Sequence, residues 1–129
     1  MRIPSKLKIL VVAEDTHGAL GRSLAQAFQP AGCQVATFNN KRTLLSPRRG
    51  TAHGMGRRAA YINRLLINWR LTSTAARWRP HLVFVVKGEN LFPKTLALIK
   101  EKTNATLFNW YPDSPFAFWN GNSAAPLLY

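Results

Sequence analysis

The most uniform apolar run of the chain is Leu82–Val86, and the polar residues 87–90 follow it directly. Five apolar residues in a row, mostly β-branched, are too few for a helix and predict a strand that is buried on both faces, as in a parallel sheet. Arg79 and Pro80 would end the preceding helix, because proline lacks an amide donor. Ligands of open α/β sheets bind outside the carboxyl ends of the strands, so residues 87–90 mark a candidate ligand edge.

The same pattern predicts three further strands, over residues 7–13, 34–38 and 105–110. It predicts helices over residues 20–30 and 57–78 and another that begins at Pro93, since proline suits a first helical position. Gly32 is the expected stop of the first helix. Strands that alternate with helices predict an α/β fold, a Rossmann-like parallel sheet with helices on both faces. We expect one domain over residues 1–129.

The helix predicted over residues 57–78 has one apolar arc of about 100°, which is wide enough to pack on a sheet. The arc consists of Ile62, Leu65, Leu66, Trp69, Ser73 and Ala76. We therefore expect this face to be buried, with Arg57 and Arg64 on the opposite side. Trp110 and the single Cys33 are also expected in the core.

Charge is the most unusual feature of the composition: 18 Lys and Arg against five Asp and Glu give a formal net charge of +13. Such a field attracts nucleic acid, anionic lipid or phosphorylated substrates. Four of the five acids, Glu14, Asp15, Glu89 and Asp113, come just after a predicted strand and so cluster at the ligand edge. No apolar run is long enough to span a bilayer, and the lone cysteine excludes an internal disulfide, so we expect a cytoplasmic protein without a metal site.

Two of the strand-end loops carry the richest chemistry. Glu89, Asn90 and Asp113 can accept hydrogen bonds from sugar hydroxyls, while Trp110 and Tyr111 offer flat apolar faces. His17 follows the first strand beside Asp15. An imidazole that a carboxylate orients is a candidate general base for a hydroxyl.

Three alternatives without catalysis remain open. The first strand and helix resemble a phosphorelay receiver, but Val86 occupies the position of the phosphoacceptor aspartate, which leaves a degenerate receiver-like module. The basic loop over residues 41–58 could serve a nucleic-acid-binding module, although it contains no aromatic residue. Backbone amides of residues 50–56 at a helix start could bind an anion.

Residues 85–90 and 109–116 resemble the amino-terminal domain of the CgeB-like, spore-maturation-type glycosyltransferases, and residues 8–24 and 79–82 fit the same family. The resemblance implies a GT-B fold, with two facing Rossmann-like halves and an active site in the cleft between them. In that family the amino-terminal half chiefly binds the acceptor, and the carboxyl-terminal half holds most of the nucleotide-sugar site.

The resemblance implies that this chain is the acceptor-side domain of such an enzyme, truncated and inactive alone because the second domain is absent. It implies a substrate-binding set of Lys87, Glu89, Asn90, Asp113 and Ser114. His17 matches only the position of a loop that other two-domain glycosyltransferases use for a base, and it is the candidate catalytic residue. No cofactor is expected in this chain, since the nucleotide-sugar donor would bind the missing domain. The expected partner is a sugar acceptor, with nucleic acid less favoured.

Overall fold

Four parallel strands form one sheet in the computed structural model, which describes residues 6–14, 20–42 and 56–111. In chain order the elements are β1 (Lys8–Val12), α1 (Leu20–Phe28), a short 3-10 turn (Gln29–Ala31), β2 (Gln34–Phe38), α2 (Arg57–Trp78), β3 (Leu82–Val86), α3 (Pro93–Thr103) and β4 (Thr106–Trp110). The strand order is β2-β1-β3-β4. The α/β, Rossmann-like fold class predicted above is therefore confirmed.

Strand β1 lies at the centre of this arrangement, because it pairs with β2 on one side and β3 on the other. Ile9 is in register with Val35 of β2 and with Leu82 of β3. The chain moves from β1 outward to β2 and then crosses back over β1 to form β3. The position between β1 and β3 is thus a topological switch point, where open α/β sheets place their ligands.

The core has two layers, one on each face of the sheet. On one face Leu10, Val12, Val83 and Val85 pack with Ile67, Leu71 and Ala75 of α2 and Leu96 and Ile99 of α3. On the other face Ile9, Val11, Ala13 and Val86 pack against Leu24 and Phe28 of α1. Helix α1 approaches β1 closely at Gly21, where a Cβ would lie 2.5 Å from the Cβ of Ala13.

Most predicted boundaries are confirmed to within two residues, and those of β2, α2 and β3 coincide with the prediction. Gly32 ends the 3-10 turn with φ of 81°, a left-handed conformation that glycine adopts without steric cost. Pro93 is the first residue of α3, as predicted, and Leu96 and Ile99 of this helix are buried.

The predicted core face of α2 is wrong. Ile62, Leu65 and Trp69 are 48%, 44% and 66% exposed, and the buried residues are Asn63, Ile67, Asn68, Leu71 and Ala75. The helical spacing of apolar residues reflects the polarity of each side chain but carries no information about its hydrogen-bond partners. The carboxamides of Asn63 and Asn68 donate to backbone carbonyls, so their burial costs little and the asparagine-bearing face packs inward.

Two smaller expectations also need correction. Trp110 was expected in the core but is 37% exposed, because it lies on β4, which pairs only with β3 among the described strands. Cys33 is half-buried rather than fully buried, and it packs against the apolar layer beneath α1.

The two isoleucines of α2 give a matched test of this packing. Replacing Ile67 with Ala should lower the free energy of unfolding by about 2–5 kcal/mol, because the change leaves a cavity in the core. Ile62→Ala removes the same atoms from the exposed face and should cost about 0.5 kcal/mol or less. Urea denaturation of both variants is the measurement. A larger loss for Ile62→Ala than for Ile67→Ala would contradict the orientation of α2.

Candidate functional site

The candidate site is the crevice at the carboxyl ends of β1, β2 and β3. Glu14 follows β1, Lys41 follows β2, and Glu89 follows β3. The Nζ atom of Lys41 lies 3.3 Å from Oε2 of Glu14 and 3.2 Å from Oε2 of Glu89. One ammonium group thus joins the two strand-end loops on either side of the switch point.

We call Lys41 together with Glu14 and Glu89 the Lys41 clamp. Two opposing effects act on the pKa of Lys41. Partial burial alone would lower its pKa, since desolvation disfavours the charged form. The hydrogen bond and charge of Glu89, with those of Glu14, outweigh this effect and raise the pKa of Lys41 above its ordinary value. Lys41 is therefore charged at neutral pH and stays paired with both carboxylates.

The backbone of the loop after β3 is held in an unusual conformation. Lys87 and Gly88 both have φ of 66°, and for a residue with a side chain this left-handed conformation is sterically costly. Three hydrogen bonds hold the turn: Lys87 N to Trp110 O at 2.9 Å, Gly88 N to Val86 O at 2.9 Å, and Leu91 N to Gly88 O at 3.1 Å. Such conformations are concentrated at ligand and active sites. Here the turn carries the chain from β3 to Glu89.

Hydrogen bonds among three asparagines hold the loops after β2 and β3 in place. Asn68 on α2 donates from Nδ2 to the carbonyl of Asn90 at 2.8 Å, and its Oδ1 accepts from the amide of Phe92 at 2.9 Å. Asn90 in turn donates from Nδ2 to the carbonyl of Asn40 at 2.9 Å. The loops after β2 and β3 are thereby tied to each other and to α2.

Arg64 supports the same loop from α2. Its Nε lies 3.4 Å from the carbonyl oxygen of Asn90, and its guanidinium stacks over the ring of Phe92 at 4.3 Å from the centroid. Burial lowers the pKa of Arg64 and outweighs the opposing effect of Tyr61. The side chain nevertheless remains a cation, because arginine does not lose its proton in proteins. Its role in the described contacts is to position the loop that bears Glu89.

Asn40 is the one residue of this group whose own side chain is left without a hydrogen bond. It is 1% exposed, and neither Nδ2 nor Oδ1 has a partner among the residues the structure describes. A buried carboxamide without partners costs about 1–3 kcal/mol, and native proteins retain few such groups. The Asn40 carboxamide is therefore a buried donor and acceptor next in sequence to Lys41, without a partner among the described side chains.

The structure places the predicted site residues in two groups. Lys87, Glu89 and Asn90 form the loop at the carboxyl end of β3, where Glu89 contacts Lys41 and Asn90 contacts Asn40. The other three, His17, Asp113 and Ser114, lie outside the described residues. Within residues 6–14, 20–42 and 56–111, no cluster of three or more His, Cys, Asp or Glu side chains could hold a metal ion.

Sequence analysis missed Asn40 and Lys41. It placed Glu14 at the ligand edge but assigned Lys41 to the basic loop that follows β2. The signal that could have identified them is their position, because Asn39, Asn40 and Lys41 follow the carboxyl end of β2, the strand adjacent to β1. That signal is visible only once the strand order is known.

Comparison with protein-family models, with curated proteins and with solved structures found no match to this chain. The fold and the site define an α/β domain with a polar crevice at the switch point of a parallel sheet. None of the described helices is long and apolar enough to cross a membrane.

The clamp makes a specific prediction about pH. Lys41→Met should lower the free energy of unfolding at about pH 8 by up to about 1 kcal/mol, the usual range for exposed ion pairs. The folded-state pKa of Lys41 is raised, so its contribution is complete below the ordinary value of 10.5 and is lost as the pH rises through the folded value. The difference between wild type and variant should therefore narrow as the pH rises above 10.5.

Lys94→Met, an exposed change on α3, is the matched control for the lost charge. Urea denaturation across the pH series measures both variants. A gap for Lys41→Met that is independent of pH would show that the ion pairs do not stabilise the fold.

Proposed function

We propose that this chain is the acceptor-side, amino-terminal half of a nucleotide-sugar-dependent glycosyltransferase and that it needs a second, donor-binding domain for activity. The resemblance of residues 85–90 and 109–116 to the CgeB-like enzymes supports the class of reaction. The structural observation that carries the proposal is the Lys41 clamp between Glu14 and Glu89 at the switch-point crevice. On the single cysteine, we also propose a cytoplasmic location.

The chemistry of the crevice suits an acceptor rich in hydroxyl groups. In glycosyl transfer an acceptor hydroxyl attacks the anomeric carbon of the donor, the nucleotide leaves, and a base takes the hydroxyl proton. Glu14 and Glu89 are partly exposed and offer carboxylate oxygens that accept hydrogen bonds from hydroxyls. His17 is the proposed base.

A glutamate pair tests the assignment of Glu89. Glu89→Gln removes a carboxylate from the crevice, whereas Glu101→Gln removes an exposed carboxylate from α3 and serves as the control. A panel of oligosaccharides titrated into the isotope-labelled chain should shift amide signals of residues 86–91. Glu89→Gln should weaken that binding about tenfold, since hydrogen bonds to charged groups contribute about 1.5–3 kcal/mol.

The Glu101→Gln control should bind as the wild type does. Shifts confined to other parts of the chain, or equal binding by Glu89→Gln and the wild type, would remove the crevice as the acceptor site. Joined to a donor-binding domain, the wild-type chain should support sugar transfer and Glu89→Gln should reduce it.

A second candidate function is favoured by the outer face of α2. Tyr61 and Trp69 are 58% and 66% exposed, and Arg57 and Arg58 are exposed on the same helix. Arg58 precedes Tyr61 by three residues and Ile62 by four, so it shares their side of the helix. Cations interleaved with exposed aromatic rings are the pattern of a single-stranded nucleic-acid surface, and the chain carries a charge of +13.

Trp69 provides the test of this second function. Trp69→Ala should weaken binding of a random single-stranded oligonucleotide by about 1–3 kcal/mol, the contribution of one stacked base. Leu65→Ala, which removes an exposed apolar side chain without a π face, should change it little. Fluorescence anisotropy over a salt series measures both affinity and slope. Equal effects of the two variants, or binding that is insensitive to salt, would exclude the nucleic-acid function.

A further inference from the structure

A pocket of about 280 Å³ lies between the carboxyl end of β2 and helix α2, and none of the predicted acceptor-site residues lines it. Its lining consists of Thr37, Phe38, Asn39 and Arg42 on one side and Ile67, Arg70 and Thr74 on the other. Phe38 and Ile67 belong to the core layer, so the pocket has an apolar wall as well as polar groups. Apolar surface with a few convergent polar groups is typical of small-molecule sites.

The charged side chains that line the pocket are all positive. The pocket contains two guanidinium groups, from Arg42 and Arg70, and none of its lining residues is acidic. Neither guanidinium pairs with a carboxylate in the part of the chain that the structure describes. The acids closest in sequence to the strand ends, Glu14 and Glu89, are both held by Lys41. Arg42 and Arg70 thus face the pocket as cations without a counterion among the described side chains.

We propose that this pocket binds the phosphoryl group of a small molecule. A guanidinium presents its donors in a planar fork that matches two phosphate oxygens, and two arginines from different elements can hold one anion from two sides. The hydroxyls of Thr37 and Thr74 and the carboxamide of Asn39 add neutral donors. The volume accommodates a phosphoryl group with a small carbon skeleton, because pockets for drug-sized ligands begin at about 300 Å³.

The proposal does not depend on glycosyl transfer. It uses residues at the carboxyl end of β2 and on α2, and none of them belongs to the Lys41 clamp. A chain without acceptor binding could still bind phosphate here, and the two sites are tested with different ligands and different variants.

Helix α2 supplies a matched control. Arg77 lies seven residues after Arg70 and therefore on the same side of the helix, and it is exposed but does not line the pocket. Arg70→Gln and Arg77→Gln change the net charge of the chain equally. A difference between them reports the pocket and not the overall field of the protein.

The experiment titrates inorganic pyrophosphate into the isotope-labelled chain at constant ionic strength, and NMR follows the backbone amides and arginine side chains. In the wild type, saturable shifts should centre on Asn39, Arg70 and Thr74. Arg70→Gln and Arg42→Gln should each weaken binding about tenfold or more, as expected for loss of a charge-assisted hydrogen-bonding group. Arg77→Gln should change it less than about twofold.

Three outcomes would overturn the proposal. One is equal weakening by Arg70→Gln and Arg77→Gln, which would mean a diffuse attraction to the charged surface. Another is wild-type shifts that do not saturate or that lie away from Asn39 and Thr74, a result that holds whether or not a variant folds. The third is binding of an oligonucleotide but not of pyrophosphate at these residues, which would assign the arginines to a nucleic-acid surface.

Discussion

The parallel pairing of β1 with β3 is the constraint on which the rest of the structure depends. Ile9, Leu10, Val11 and Val12 are at most 1% exposed, because β1 has a strand on each side and a helical layer on each face. Since β2 is formed before the chain returns to β3, α1 packs on one face and α2 on the other. The loops after β1 and β3 therefore leave neighbouring strands in different directions, and the crevice is the gap between them.

Helix α2 links the sheet to the site, and it does so by burying asparagines while apolar side chains on its other face are exposed. Asn68 is buried on its inward face and makes hydrogen bonds to the backbone of both Asn90 and Phe92. Its neighbour Trp69 is exposed to solvent. A leucine at position 68 would bury more apolar area but would leave the amide of Phe92 without its partner and the carbonyl of Asn90 with only the longer hydrogen bond from Arg64. The polar contact fixes the loop that carries Glu89, so the helix has a positioning role beyond its packing.

The sequence predicted the elements better than it predicted their contacts. Apolar runs bounded by proline and glycine, such as Leu82–Val86 after Pro80, define strands through local steric preferences. These preferences depend on adjacent residues and can therefore be read from the sequence. The inward face of α2 depends on hydrogen bonds to Arg42 and Asn90, which lie 21 and 22 residues away in sequence. Lys41 was missed for the same reason: its two partners are brought to it only by the strand order.

The polar groups at this edge of the sheet separate into two kinds. One ammonium shared by Glu14 and Glu89 leaves carboxylate lone pairs unused, so the crevice is rich in acceptors and matches hydroxyl donors. The neighbouring pocket, with Arg42 and Arg70, is rich in donors and matches phosphoryl oxygens. The segment after β2 contributes to both, since Asn39 and Arg42 line the pocket while Lys41 pairs with Glu14 and Glu89.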